Sequence, residues 1–581
     1  MKKQTSVLSL PRLSPAPPTS LMPGYSLRIG GKTAENLWFF FSATVYFLVA
    51  WWLAVDVEFY FGDALSRTQN AISVLYSRNP NLSVMGYVFT PLTTLAQLPL
   101  AALSPLFPGI VRTGMSGAIV SVLFMAGAVR EFWIITSERG VPSSFAIIAT
   151  LIFALNPMIV LYGSVGMSEA PFIFGTLWAV RRMIRWTSTD DVHDLIKAGC
   201  AFALTFLARY DGLIMAFVVI VVVGIMAWIA RKRRNFGDKV GFAALDMLIL
   251  GWPIGIVFLT WTGASWLTTG DLLAQFSSVY GNSSLVIQAD AGSKGLEPLI
   301  DASLRTFLIS PVLPLLIVVS LWFAYRRKDL EPLFPLVSML TVLGFQIYSH
   351  AAGSTFGMLR FFIVAIPLSM VLLIQIISPG NRFPSLRPGA TFRHRSIAKN
   401  PPWWFIATMY LLVFSSTLFC GQLMRSQQWA PQEFAVQQAI PFLKEGTPAE
   451  KDLRTKILKD FSTEKYVADY IDHLELGEGE LIVSAANAYA IMTASQNQKQ
   501  FVIQSDRDYV EMLNSPAEHG VRYILISLPK DGVLIDPISL RYPELYDTGS
   551  HIATLDMEFP NQGDIQPDWR LFRVLNVPAT P

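Results

Sequence analysis

Residues 36–67 read NLWFFFSATVYFLVAWWLAVDVEFYFGDALSR. The first twenty, 36–55, carry no charge. About 20 apolar residues is the length a helix needs to cross the hydrocarbon core of a bilayer. The next twelve hold Asp56, Glu58, Asp63 and Arg67 among aromatic residues. An apolar run that ends in carboxylates and an arginine places ionisable groups at a membrane surface. Such groups are costly there and are candidates for function.

The rest of the chain repeats the apolar theme. Of 581 residues, 52% are hydrophobic and 15% charged, and the mean hydropathy is +0.43. Soluble proteins carry about 25% charged residues. Further apolar runs lie near 113–134, 143–163, 168–186, 195–208, 211–230, 240–263, 303–324, 332–349, 359–379 and 403–423. With the first run they predict a polytopic α-helical membrane protein of about eleven spans. The run 85–108 is also apolar, but Pro91, Pro99, Pro105 and Pro108 interrupt it. It is read as interfacial or re-entrant, because irregular backbone at membrane depth needs protein or a cavity beside it.

Basic residues concentrate on the cytoplasmic side of membrane proteins. The tail 1–35 is basic and Pro/Ser-rich, without signal-peptide grammar, and is read as cytoplasmic. Alternate loops then carry Arg130 and Arg139; Arg181, Arg182 and Arg185; Arg231–Arg234; Arg326–Lys328; and Arg382 through Lys399 within a linker at 380–402. This places 56–112, 164–167, the turn at Arg209–Gly212, 264–302, 350–358 and 424–581 outside. The last segment changes character. Short apolar strands near Leu481, Phe501, Tyr523, His551 and Arg570 alternate with polar helices, which predicts a soluble α/β domain.

The net charge of +3 gives no reason to expect a nucleic-acid partner. Cys200 and Cys420 both lie in apolar runs, so no disulfide framework is expected. The six histidines are scattered, and there is no phosphate-loop or dinucleotide fingerprint. No metal ligand set and no cofactor are expected; metal-independent chemistry is favoured, with a divalent cation left open.

Four outside positions carry the candidate chemistry. Asp63 lies one helical turn before Arg67, and a carboxylate there can take a proton from a hydroxyl. Glu58 precedes it in the same loop. Glu169 opens a span after Ser168, where a carboxylate also suits the helix dipole. Arg209-Tyr210-Asp211-Gly212 separates two apolar runs, with a guanidinium suited to phosphate. His350 begins a Gly/Ser-rich loop, and Arg360 follows it at the start of a span.

In order, Gly62-Asp63 with Arg67, Phe89-Thr90-Pro91-Leu92, Ser168-Glu169, Arg209-Tyr210-Asp211-Gly212 and Leu359-Arg360-Phe361-Phe362 resemble the GT-C glycosyltransferases. That class includes the protein O-mannosyltransferases and the bacterial aminoarabinose lipid A transferases. The resemblance covers roughly 36–380, and the tail with Ser505-Asp506-Arg507-Asp508 is similar to bacterial members. It implies a GT-C-like catalytic module over 36–423 and a polyprenyl-phosphate-linked sugar as donor. The acceptor would be a lipid, a glycan or a protein. It implies Asp63 as general base, Glu169 as an orienting group, and Arg67, Arg209 and Arg360 as phosphate ligands. Glu58, Tyr210, Asp211 and His350 are further substrate-binding candidates. The chain departs from the mannosyltransferases in two places: Gly62-Asp63-Ala64 replaces an adjacent Asp-Glu pair, and Thr90-Pro91 replaces His-Pro.

Two other readings fit a chain with many spans. One is a transporter or flippase for a lipid-linked saccharide. The other is a membrane-anchored glycan- or peptide-binding protein. No inverted repeat with paired broken helices favours the transporter.

Overall fold

The computed structural model describes residues 31–230, 236–278, 284, 286, 294–327, 329–378, 401–440, 447–528, 536–563 and 565–577. The basic clusters Arg231–Arg234 and Arg382–Lys399, Lys328, and Tyr280 and Asp290 of the 264–302 loop lie outside them, as does nearly all of the 380–402 linker.

Each of the eleven apolar runs is helical. Among the described residues, seven helices are long and apolar enough to cross a membrane alone. An eighth span forms if Leu296–Ile309 and Leu313–Arg327 count together, bent by 74° where Pro311 cannot donate a backbone N–H. The remaining three runs fall short for identifiable reasons. Ser143–Ala154 is short and is followed by Pro157–Tyr162. Glu169–Thr189 carries Arg181, Arg182 and Arg185. Val192–Ala208 has 17 residues. Phe236–Thr269 is longer than its apolar run, and Leu296–Ile309 starts earlier than expected. The loop between them is therefore shorter than 264–302.

The proline-rich run 85–108 contains only the ten-residue helix Leu92–Ala101, too short to span. It packs beside Gly62–Tyr76 and Met115–Glu138. Thr90 Oγ1 donates to the Ala208 carbonyl at 2.6 Å, which ties this run to the turn at Arg209.

The opposite end of the bundle holds a buried ionic network. Arg181 pairs with Glu131 and Glu138 at 3.0 and 2.6 Å. Asp194 receives Arg182 and Arg185 at 3.1 and 3.3 Å. Arg139 pairs with Glu331 and lies 3.6 Å from Asp329. These arginines, which the charge pattern assigned to one side of the membrane, are paired with carboxylates from neighbouring helices. The pairing is what permits a partly buried charge.

The C-terminal sheet has five strands: β1 Leu481–Ile482, β2 Phe501–Val502, β3 Tyr523–Ser527, β4 Ala553–Phe559 and β5 Trp569–Val574. Their order is β2-β1-β3-β5-β4. The first three are parallel and the last two pairings antiparallel. The core strands β1, β2 and β3 are buried throughout, and their uninterrupted apolar sequence follows from cover on both faces. Pro431–Gln438, in the segment assigned to the soluble domain, instead packs on the helical module through the buried Glu433.

The sheet docks by the carboxyl ends of its parallel strands. Beyond β1, Tyr489–Ala494 packs on Gly62–Tyr76. Beyond β2, Asp506 and Asp508 receive Arg78. Open α/β sheets commonly bind ligands at this edge; here it grips the helix that carries Asp63 and the Arg78 that follows it.

Candidate active site

Asp63 sits in the first turn of Gly62–Tyr76, directly after an extended Phe61. Its Oδ2 accepts from Arg360 Nη2 at 2.7 Å. Arg360 belongs to a short 3-10 turn, Leu359–Phe362, at the mouth of the span that continues as Ala365–Ile377. Its Nη1 lies 3.9 Å from Glu169 Oε1. The same oxygen accepts from Arg209 Nη1 at 3.0 Å. Arg209 Nε donates to Asp211 at 2.9 Å. Asp63, Glu169 and Asp211 from three helices, Arg360 from the 3-10 turn and Arg209 from the connection after Val192–Ala208 thus form one chain of alternating charge.

Arg67 joins from the side. Its Nη1 donates to the Asp63 carbonyl at 3.0 Å, and its guanidinium covers the Phe89 ring at 4.4 Å. Arg67 and Arg360 each approach the Met167 sulfur at 3.7 Å. Phe361 carries Arg209 and Arg360 at 5.2 and 5.1 Å from its ring centre. Three guanidinium groups therefore converge on the surroundings of Met167 and Phe361. Gly166 makes this possible: its φ is +75°, and a Cβ there would stand 3.1 Å from the Gly117 backbone. The turn before Glu169 is pressed onto the neighbouring helix, which only glycine allows at that φ.

The burial of these groups is uneven. The Glu169 side chain is 1% exposed and that of Arg360 6%, whereas Asp63 is 38% exposed. Asp63 is the most exposed of the three carboxylates in that chain of charges. Burial disfavours its charge, but Arg360 and Arg67 outweigh that and hold it below the usual carboxylate range. Glu169 Oε2 and Arg360 Nε are buried without a hydrogen-bond partner among the described residues. Buried polar atoms are rarely left so, and they give the site unspent bonding capacity.

The other candidates lie elsewhere. Glu58, at φ +57°, pairs with Lys465 of the C-terminal domain at 3.0 Å. It bridges the two parts of the molecule and stands outside the arginine cluster. Tyr210 accepts from Trp261 Nε1 at 3.2 Å and donates to the Tyr87 carbonyl at 2.9 Å, bracing the turn. His350 lies 3.4 Å from Asp301, which also takes Arg305 at 2.7 Å. That group supports the loop leading to Arg360 and is separate from Asp63.

The structure adds two residues. Tyr162 donates to Glu433 Oε1 at 2.5 Å, and both are buried. Arg360 and Glu169 are close enough to influence both groups electrostatically. Burial pushes the Glu433 carboxyl up, while the Tyr162 hydrogen bond works against that. Tyr162 shows only as an apolar aromatic in a span, and Glu433 as a charge in a polar tail. Nothing in the sequence joins them.

No protein-family model matches the sequence, and no curated protein matches it. Solved structures do. A crystal structure of the Archaeoglobus fulgidus oligosaccharyltransferase tethered with an acceptor peptide aligns at 12% identity and a TM-score of 0.33, covering 85% of this chain and 70% of that one. ArnT from Cupriavidus metallidurans in the apo state aligns at 10% identity and a TM-score of 0.46, covering 95% and 100%. ArnT from the same organism bound to undecaprenyl phosphate aligns at 11% identity and a TM-score of 0.51, covering 94% and 100%. With its helical bundle and small C-terminal sheet, the chain has the fold of that ArnT structure over nearly its whole length.

Proposed function

We propose that this protein is a membrane glycosyltransferase. It moves a sugar from a polyprenyl-phosphate donor to an acceptor hydroxyl on the extracytoplasmic face, with inversion at the anomeric carbon. The observation that carries the reading is the Asp63–Arg360 pair at 2.7 Å, backed by Glu169 and Arg209. It joins an accessible carboxylate to clustered guanidinium groups at one end of the bundle. A transporter needs charges along a path through the membrane; these cluster at one end. The ArnT structure of the same fold holds undecaprenyl phosphate, a ligand of the class proposed for the donor.

In this reading the donor phosphate engages Arg360, Arg209 and Arg67, which neutralise the charge that develops as polyprenyl phosphate leaves. A guanidinium binds phosphate bidentately, and Arg360 Nε is not spent on any hydrogen bond among the described residues. When the phosphate takes Arg360, Asp63 loses its strongest partner and becomes a better base. It then accepts the proton of the attacking hydroxyl as oxygen bonds to the anomeric carbon. Glu169, buried against Arg209 and Arg360, fixes the arginines. The sugar already carries a good leaving group, so positioning and charge supply the catalysis.

Membranes containing the full-length protein are incubated with a panel of polyprenyl-phosphate sugars, each labelled in the sugar. The reading expects label in a new product and stoichiometric release of polyprenyl phosphate with one donor. No transfer from any donor by a folded protein contradicts it.

A further inference from the structure

A groove of about 600 Å³ opens between Ser143–Ala154 with its continuation and the last span, Trp403–Leu423. This lies within the size range of ligand pockets, about 300–1,000 Å³. Leu151, Ile152 and Leu155 form one wall, and Phe414 and Leu418 the other. Leu155, Phe414 and Leu418 are 47%, 47% and 58% exposed, so the groove faces outward from the bundle.

Phe414, Leu418 and Gly421 share one face of the last helix, and Arg425 follows in the turn after it. Arg425 follows the span by two residues and caps the groove. It is exposed and has no carboxylate partner among the described residues, and no carboxylate lines the groove. Gln422 and Gln437 stand near it as neutral hydrogen-bonding groups. From Phe414 to the helix end at Leu423 the face runs about 14 Å at 1.5 Å per residue, with Arg425 just beyond it. That is about half of the roughly 30 Å hydrocarbon core, the depth of one leaflet. A cation at the interface with an apolar channel one leaflet deep matches a phosphate headgroup with an acyl chain below it.

We infer that this groove binds an anionic glycerophospholipid, its phosphate on Arg425 and one acyl chain against Leu155, Phe414 and Leu418. The groove residues are outside the Asp63 cluster, so the inference stands apart from the proposed transfer reaction. Bound lipid would brace the last span against Pro157–Tyr162, the helix that carries Tyr162, and against Pro431–Gln438, which carries Glu433.

The test is native mass spectrometry of the full-length protein released from detergent. It is titrated separately with phosphatidylglycerol, phosphatidylcholine and undecaprenyl phosphate. Wild type is compared with Arg425→Gln, which removes the cation, and Leu418→Trp, which fills the groove; melting temperature reports folding. The expected result is phosphatidylglycerol retention several-fold above phosphatidylcholine, lost several-fold in either variant that folds like wild type. Equal retention of the two phospholipids, or retention unchanged in both variants, overturns the inference. Displacement of phosphatidylglycerol by undecaprenyl phosphate from wild type but not from the variants would give the groove to the carrier lipid and also overturn it.

Discussion

Tyr162 donates a 2.5 Å hydrogen bond to Glu433, across 271 residues of sequence and between a membrane helix and the segment leading to the C-terminal sheet. The pair ties Pro431–Gln438 to the helical bundle, close enough to Arg360 and Glu169 for their charges to act on it. Tyr162→Phe leaves a buried carboxylate without its donor, at a cost of about 1–3 kcal/mol. The expected outcome is a lower melting temperature of the full-length protein, with Tyr162→Phe/Glu433→Gln recovering part of the loss. Equal melting of wild type and Tyr162→Phe would show that the bond carries no weight.

Gly62 and Tyr489 face each other where the two parts of the chain meet near Asp63. A Cβ on residue 62 would lie 2.8 Å from the Tyr489 hydroxyl and 3.7 Å from the ring carbon that bears it. Gly62→Ala is therefore expected to push the C-terminal domain away from Asp63 and lower transfer. Gly62→Ala/Tyr489→Phe removes the clashing oxygen and is expected to restore most activity, a coupling that a double-mutant cycle measures. Additive losses would place the defect elsewhere.

Glu464 gives a pH signature to the C-terminal domain. Trp569 Nε1 donates to it at 3.0 Å, and burial pushes its carboxyl up to about 7 from 4.5. A carboxyl raised in the folded state contributes most stability below its unfolded value. That contribution is lost as pH rises through the folded value. Between pH 4.5 and 7 the linkage amounts to about 3 kcal/mol. Glu464→Gln is expected to raise the melting temperature at pH 8 and flatten its pH dependence; an unchanged slope would remove Glu464 from this role.

Arg360 sets the acid limit of the reaction. With Arg360 and Arg67 holding Asp63 below the usual carboxylate range, the acid limb of kcat/KM is expected below about pH 4. Arg360→Gln removes the larger lowering influence, so the limb should move upward as transfer falls by about 10²–10³. A limb that stays in place while activity falls would separate Arg360 from Asp63.

How much was legible in the sequence differs between elements. The first span followed by Asp56, Glu58, Asp63 and Arg67 was readable because an apolar run of full length and a charged loop abut. The strands near Leu481, Phe501 and Tyr523 were readable because buried parallel strands are short unbroken apolar runs. The convergence of Asp63 with Arg360, and of Glu169 with Arg209, was readable only as a common side of the membrane. Its pairings span 297 and 40 residues. Glu58 reads as a further substrate-binding candidate in the same loop as Asp63, yet its left-handed backbone turns it toward Lys465. Glu433 was unreadable, since a charge in a polar tail gives no sign of being buried. The span count was blurred by Glu169–Thr189, whose arginines are offset by Glu131, Glu138 and Asp194 from other helices.

In the proposed reaction Asp63 takes the proton of the acceptor. The direct measurement is sugar transfer from the active polyprenyl-phosphate donor by wild type and Asp63→Asn, at matched expression and melting temperature. The expected result is a loss of about 10²–10⁴-fold in kcat with donor binding retained. Transfer by Asp63→Asn at the wild-type rate would contradict it.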